Sequence, residues 1–233
     1  MGGEIISNMI RMMTSAAICV GIYCWTLPVR AADDPDFSRL LQEKCAKYED
    51  EIAATSKRLP HSQVGEKADR PALARQLREM AVIDQQVRDR WIALQGDPAA
   101  LAEMQRADAA NLAKLRHILH QNGFPTRAMI GSSGVQDAWL LVQHANDDKL
   151  QESVLAQLKP RFRTREISAQ DYALLTDRVL RHQGKPQIYG SQFNDSFELE
   201  PTRDMAHLDD RRRAMGLPSM AAYKCMLKAF YRK

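Results

Sequence analysis

The 233-residue chain sets 33 Lys and Arg against 29 Asp and Glu, for a formal charge of +4, with 45% hydrophobic residues, 6% aromatics, 11 Gly, 10 Pro and 4 Cys. That balance excludes a disordered, collagenous or cysteine-framework chain. Interspersed charge and scattered aromatics also exclude the concentrated basic field that nucleic-acid binding needs.

After Arg11 an uncharged run from Met12 to Leu27 leads into Pro28-Val29-Arg30-Ala31-Ala32. A basic start, an apolar centre and a small-residue end read as a signal peptide over residues 1–31, cut after Ala31. The apolar run falls short of the ~20 residues of a spanning helix, so the alternative of a retained anchor is the weaker reading. The mature chain is then exported, periplasmic or secreted, and free of the membrane. Only Cys45 and Cys225 remain after cleavage. An even pair in an oxidising compartment predicts one disulfide tying the two ends of the fold; two buried thiols are the alternative.

Residues 32–68 are expected to form an N-terminal helix and linker, with Phe37, Leu41, Cys45, Tyr48 and Ile52 on one stripe that Leu59-Pro60 ends. Residues 69–233 read as a single helical domain. Asp69 and Pro71 open a helix that closes at Gly96; Asp97-Pro98 opens the next, and Asn122-Gly123 closes it. A helix from Val135 to Asp148 follows Gly131-Ser132-Ser133-Gly134, another reaches about Glu166, and Ser168 caps one running to His182. Between residues 183 and 202 the glycines and prolines break the period, leaving a loop of a length usually kept for binding. The run Asp209-Asp210-Arg211-Arg212-Arg213 reads as a solvated face, and a short helix continues through Cys225. No repeat and no strand alternation interrupts this pattern. The expected fold class is all-α, a multi-helix bundle with one long irregular loop.

Two helices carry polar residues where apolar ones belong. The stripe Leu73, Leu77, Met80, Asp84, Val87, Trp91, Leu94 has Asp84 at a core position, and Leu101, Met104, Asp108, Asn111, Leu115, Ile118 has two successive polar members. The connection near Gly96 is short, so the two helices are antiparallel neighbours. Asp84 and Asp108 are equally far from that turn, which places both carboxylates at one level of the bundle. Paired buried carboxylates require a shared proton, a cation or a metal. Arg88, one turn from Asp84, can fold back to supply the charge. His144 falls on an apolar surface near Leu140 and Leu141, either as a satisfied core residue or as part of this cluster. Asp177 and Arg178 lie beside Leu174, Gln187, Tyr189 and Gln192 lie on the irregular loop, and Arg127 stands before a glycine-flanked helix start that can hold an anion.

The segments Leu77-Arg78-Glu79-Met80 with Asp84-Gln85 and Arg88, Gly123-Phe124-Pro125-Thr126-Arg127, Ala138 to Ala145, Leu175-Thr176-Asp177-Arg178-Val179 and Gly184 to Gln192 together resemble a bacterial domain family of unknown function. The likeness spans roughly residues 73–223. It implies an all-α domain in which Asp84, Gln85, Arg88, His144, Asp177, Arg178, Gln187, Tyr189 and Gln192 match the family's polar pattern, and it implies no reaction. Asn122 and Ser191 depart from the residues usual in that family, His and Thr.

Two functional readings remain open. In the first, the chain is a ligand- or partner-binding module with a polar pocket in the bundle core, contacting a small molecule or peptide through Gln85, Arg88, Asp108, Asn111, Arg127, Arg178, Gln187, Tyr189 and Gln192. In the second it is a small-molecule or peptide hydrolase, with Asp84 or Asp177 orienting His144 as general base and water as nucleophile. No cofactor is expected. A metal on Asp84, Asp108 and His144 is disfavoured, since bundle metal sites draw on Glu and a Glu-x-x-His pair. Nothing in the sequence specifies a protein partner.

Overall fold

A computed structural model describes residues 35–56, 68–94, 96–194 and 196–231. The signal segment expected at residues 1–31, and residues 57–67 of the linker, lie outside the described residues. Eight α-helices and no strand occur among the described residues, so the chain is all-α.

Helix α1 spans Pro35–Ser56 and is kinked at Cys45, whose φ of −135° and ψ of 38° leave the helical region. Helix α2, Pro71–Ala93, starts on a proline, as the sequence indicates, but Asp69 is not its cap. Arg70 occupies that position with no side-chain cap. The Asp69 and Arg70 N–H groups instead donate to the Ala128 and Met129 carbonyls at 3.0 and 2.8 Å, tying the start of α2 to another helix. In α3, Pro98–Asn122, Asp97 Oδ1 accepts the Ala100 N–H at 2.9 Å, and Gly123 at φ +62° ends the helix. A Cβ there would come within 2.9 Å of Gln157 Oε1, the acceptor of the Phe124 N–H, so the glycine serves both the turn and a close approach.

Helix α4, Arg127–His144, differs from the expected Val135–Asp148 at both ends. Thr126 caps an extra first turn, and the chain bends at Gly131 (φ +72°) before continuing. It stops at His144 because Asp147 caps the following helix, accepting the Leu150 N–H at 3.0 Å. Helices α5 (Asp148–Arg163) and α6 (Ala169–His182) follow, the latter capped by Ser168. An irregular segment with two isolated β-bridges leads through a 3₁₀ turn, Met205–His207, to α7 (Leu208–Ala214) and α8 (Met220–Tyr231).

Helix α4 is the centre of the main core. Every residue from Asp137 to Ala145 is buried, as befits a helix hydrophobic nearly all round. It packs on α2, α2 packs on α3, and α5 pairs with α6; Leu77, Leu115, Trp139, Leu158 and Leu175 fill the space between them. A second core joins α1 to α8 through Leu41, Tyr48, Tyr223 and Leu227. The Cys45–Cys225 disulfide closes it, with Cα atoms 5.8 Å apart. The charge run on α7 is not simply a solvated face. Arg212 is fully buried, donating from Nε to the Pro218 carbonyl and from Nη1 to the Tyr189 carbonyl, each at 2.6 Å, and its guanidinium lies 5.0 Å from the Tyr223 ring centre. Among the described residues no helix is long and apolar enough to cross a membrane.

Candidate functional site

The irregular polar positions of α2 and α3 meet the end of α4. Asp84, 1% exposed, takes the place of a core leucine on α2, where an isolated carboxylate would be prohibitively desolvated. Three side chains compensate it. Arg88 Nη1 donates to Oδ1 at 2.9 Å, Gln85 Nε2 donates to Oδ2 at 2.8 Å, and His144 Nδ1 lies 2.7 Å from Oδ2. Arg88 also reaches α3, its Nη2 donating to Asp108 Oδ2 at 3.1 Å with Oδ1 2.9 Å away. One guanidinium thus bridges the two carboxylates that the helix spacing set at one level. Among the described residues no group of three or more His, Cys, Asp or Glu is arranged to hold a metal.

Electrostatics follow from this geometry. Burial pushes the Asp84 carboxyl up, but His144, Arg88 and Gln85 together outweigh it and hold the group below its ordinary range. Asp108 has Arg88 as its main compensation and the Asp84 charge against it; burial dominates, and it titrates above the usual carboxylate value. Burial and the Arg88 and Arg178 charges depress His144 to about 4 against the pull of Asp84. The imidazole is therefore neutral at pH 7, its Nδ1–H donating to the ionised carboxylate. Among the described residues Nε2, on a side chain 3% exposed, has no hydrogen-bond partner.

The end of α4 that carries His144 is fixed by two long side chains. Gln151 Nε2 donates to the carbonyls of Val142, Gln143 and Ala145 at 3.0, 3.3 and 2.9 Å, and Arg178 Nη1 donates to the Gln143 carbonyl at 2.8 Å. The Gln143 and Ala145 carbonyls would otherwise be orphaned at a buried helix terminus, whereas that of Val142 also accepts the Ala145 N–H. Sequence reasoning missed Gln151, although it lies in register with Val154 and Leu158, the same polar-in-stripe signal that marked Asp84. The Gln143 amide was also missed. It is fully buried, and neither its Nε2 nor its Oε1 has a partner among the described residues.

Other expected site residues lie elsewhere or have structural partners. Asn111 Nδ2 donates to the Met80 carbonyl at 3.4 Å, linking α3 to α2 one turn from Asp108. Arg127 sits at the opposite end of α4 from His144, its N–H donating to Glu166 Oε1. Asp177 is not brought to His144. Its carboxylate accepts the N–H groups of Ile188 (2.7 Å), Tyr189 (3.0 Å) and Ser191 (3.0 Å) and the Ser191 hydroxyl (2.9 Å), clamping the irregular loop to α6. Gln187 and Gln192 are buried inside that loop. Gln187 Nε2 donates to the carbonyls of Gln192 and Glu200, each at 2.9 Å, and its Oε1 accepts the Gln192 N–H at 2.8 Å. The half-buried Tyr189 packs against Ala173, Met215 and Leu217. Gly190, at φ +64°, lets this loop pass Met220 so closely that a Cβ would come within 2.7 Å of its methyl carbon.

Four of the five segments of the resemblance thus contribute to two internal networks, while the fifth, residues 123–127, is tied to Gln157, Arg161 and Glu166. Asp84, Gln85 and Arg88 join His144 in one, Asp177 and the 187–192 loop form the other, and Arg178 connects α6 to the end of α4. No curated protein and no solved structure matches the chain. A family model covers residues 71–233, beginning at the first residue of α2 and taking in both networks, and the chain belongs to that family, DUF6624, a family of unknown function.

Proposed function

We propose that the protein is an exported helical module that binds an uncharged polar small molecule or peptide group at the Asp84–Arg88–Asp108–His144 network. The observation that carries this reading is the fixed imidazole: Nδ1 is held on a buried carboxylate, which leaves Nε2 as a hydrogen-bond acceptor at neutral pH. Charge balance sets the ligand class. Arg88 bridges both carboxylates and Arg178 donates to the Gln143 carbonyl, so among the described residues the formal charges of the network balance, which favours an uncharged ligand over an anion. Asp108, with 19% of its side chain exposed, supplies a further acceptor at the edge of the network. Export is supported by the signal-like residues 1–31 and by the Cys45–Cys225 bridge, which suits an oxidising compartment.

A thermal-shift panel of neutral and anionic small molecules tests the ligand class. A neutral ligand that raises the melting temperature of the wild type but not of His144→Asn supports it. Saturable binding confined to anions, or binding undiminished in His144→Asn, overturns it. Intact mass of exported material starting at Ala32 tests the localisation.

The 2.7 Å contact favours a second reading, hydrolysis by water activated at Nε2, because a carboxylate that orients an imidazole is the recurring arrangement of a general base. Turnover in an ester and amide panel, lost in both His144→Asn and Asp84→Asn, would establish it; binding without turnover leaves the module.

A further inference from the structure

We propose that a cleft between α8 and the 193–199 turn, sharing no residue with the His144 network, binds a single-chain amphiphilic carboxylate. The cleft measures about 360 Å³ and is lined by Phe193, Phe197, Leu199 and Leu227, with Lys224 and Lys228 above them. Lys224 and Lys228 are one helical turn apart on the exposed face of α8, and neither has an ion-pair partner among the described residues. An apolar floor beneath two unmatched ammonium groups is complementary to an acyl chain ending in one negative charge.

The walls are built in advance of any ligand. Phe193 and Leu199 pair across the turn, and Phe193 meets Tyr223 edge to face with ring centres 5.7 Å apart. Asn194 knots the turn: its Oδ1 accepts the Ser196 and Glu198 N–H groups at 3.0 and 2.9 Å, and its Nδ2 donates to Glu198 Oε2 at 3.0 Å. Among the described lining residues Glu198 is the one carboxylate, held by Asn194, against the two ammonium groups of Lys224 and Lys228. Phe197 is held at φ +59°, a conformation that disfavours a bulky side chain and that a simple turn would give to glycine or asparagine. Strain of this kind persists where the surrounding structure over-determines it, and here it places an aromatic residue on the cleft wall.

The test is titration of the full mature protein with decanoate below its micelle concentration, beside decyltrimethylammonium as the cationic control. Saturable 1:1 decanoate binding is expected, at least tenfold weaker in the surface variant Lys224→Glu/Lys228→Glu, with the cation then preferred. Phe197→Gly relieves the positive φ, so the fold should be at least as stable while decanoate affinity falls. Equal binding of the two amphiphiles, indifference to both variants, or absence of saturable binding because another part of the chain fills the cleft would each overturn the proposal. Adsorption to anionic vesicles in place of free decanoate would overturn it in favour of a membrane contact.

Discussion

Replacing Asp84 and Asp108 separately should have very unequal effects, although the sequence treats them as a pair. Asp84→Asn removes a carboxylate that is 1% exposed and serves Arg88, Gln85 and His144 at once, leaving Arg88 with the partly exposed Asp108 as its one carboxylate partner among the described residues. Breaking a buried ion pair from one side costs about 3 to 5 kcal/mol, because the stranded charge stays desolvated. For a domain of this size that is a fall of about 6 to 20 °C in melting temperature. Asp108→Asn removes a carboxylate that burial already disfavours and that is partly open to solvent, so it should stay within about 1 kcal/mol of wild type. Urea denaturation at pH 7 with the disulfide intact measures both, provided the slope is unchanged so that midpoints report stability. An Asp108→Asn cost equal to or above that of Asp84→Asn would refute the assignment of Asp84 as the buried anchor.

Four further outcomes follow from named contacts. Gln143→Met keeps volume and removes an unsatisfied amide, so it should stabilise by about 1 to 3 kcal/mol in chemical denaturation; a loss would mean the amide is satisfied in solution. Asp171, pushed up to about 6 by burial against the Ser168 and Gln136 hydrogen bonds, contributes stability that is present below pH ~4 and lost as pH rises to ~6. Asp171→Asn should therefore gain up to about 3 kcal/mol over wild type at pH 8 and nothing at pH 4, read from paired melting curves. Reducing Cys45–Cys225 opens a loop of 180 residues and should cost up to ~5 kcal/mol in the chain-entropy model; an unchanged melting temperature under reductant would argue against it. Asp177→Ala strands three loop N–H groups and should speed limited proteolysis between residues 187 and 203, with unchanged cleavage contradicting the clamp.

What the sequence discloses depends on whether a residue breaks a period. Asp84 and Asn111 interrupt 3.6-residue stripes, and both are buried in the structure. Cys45 shares a stripe with Leu41 and Tyr48, and that stripe packs on α8, where Cys225 lies. Asp177 could be placed on α6, but nothing in its own helix reveals that its partners are backbone N–H groups eleven to fourteen residues ahead, since loop geometry leaves no periodic mark. Arg212 was hidden for a related reason. A charge run looks solvated until the 187–192 loop folds over it and provides carbonyls for one guanidinium in the run. Helix α4 conceals its boundaries because it is buried on all sides, so no face changes character where the helix starts or stops.

His144 is neutral at pH 7, its Nδ1–H donating to Asp84. Folded-state depression of the imidazole means that its contribution to stability is fully present above pH ~6.5 and lost as pH falls towards 4. Nitrogen NMR of histidine-labelled protein between pH 4 and 8 reads the tautomer and the midpoint directly. The expected His144 signal remains neutral with Nδ1 protonated down to about pH 5, titrates near 4, and shifts at Nε2 when a ligand binds. A midpoint near 6.5, or a proton resident on Nε2, would contradict that assignment.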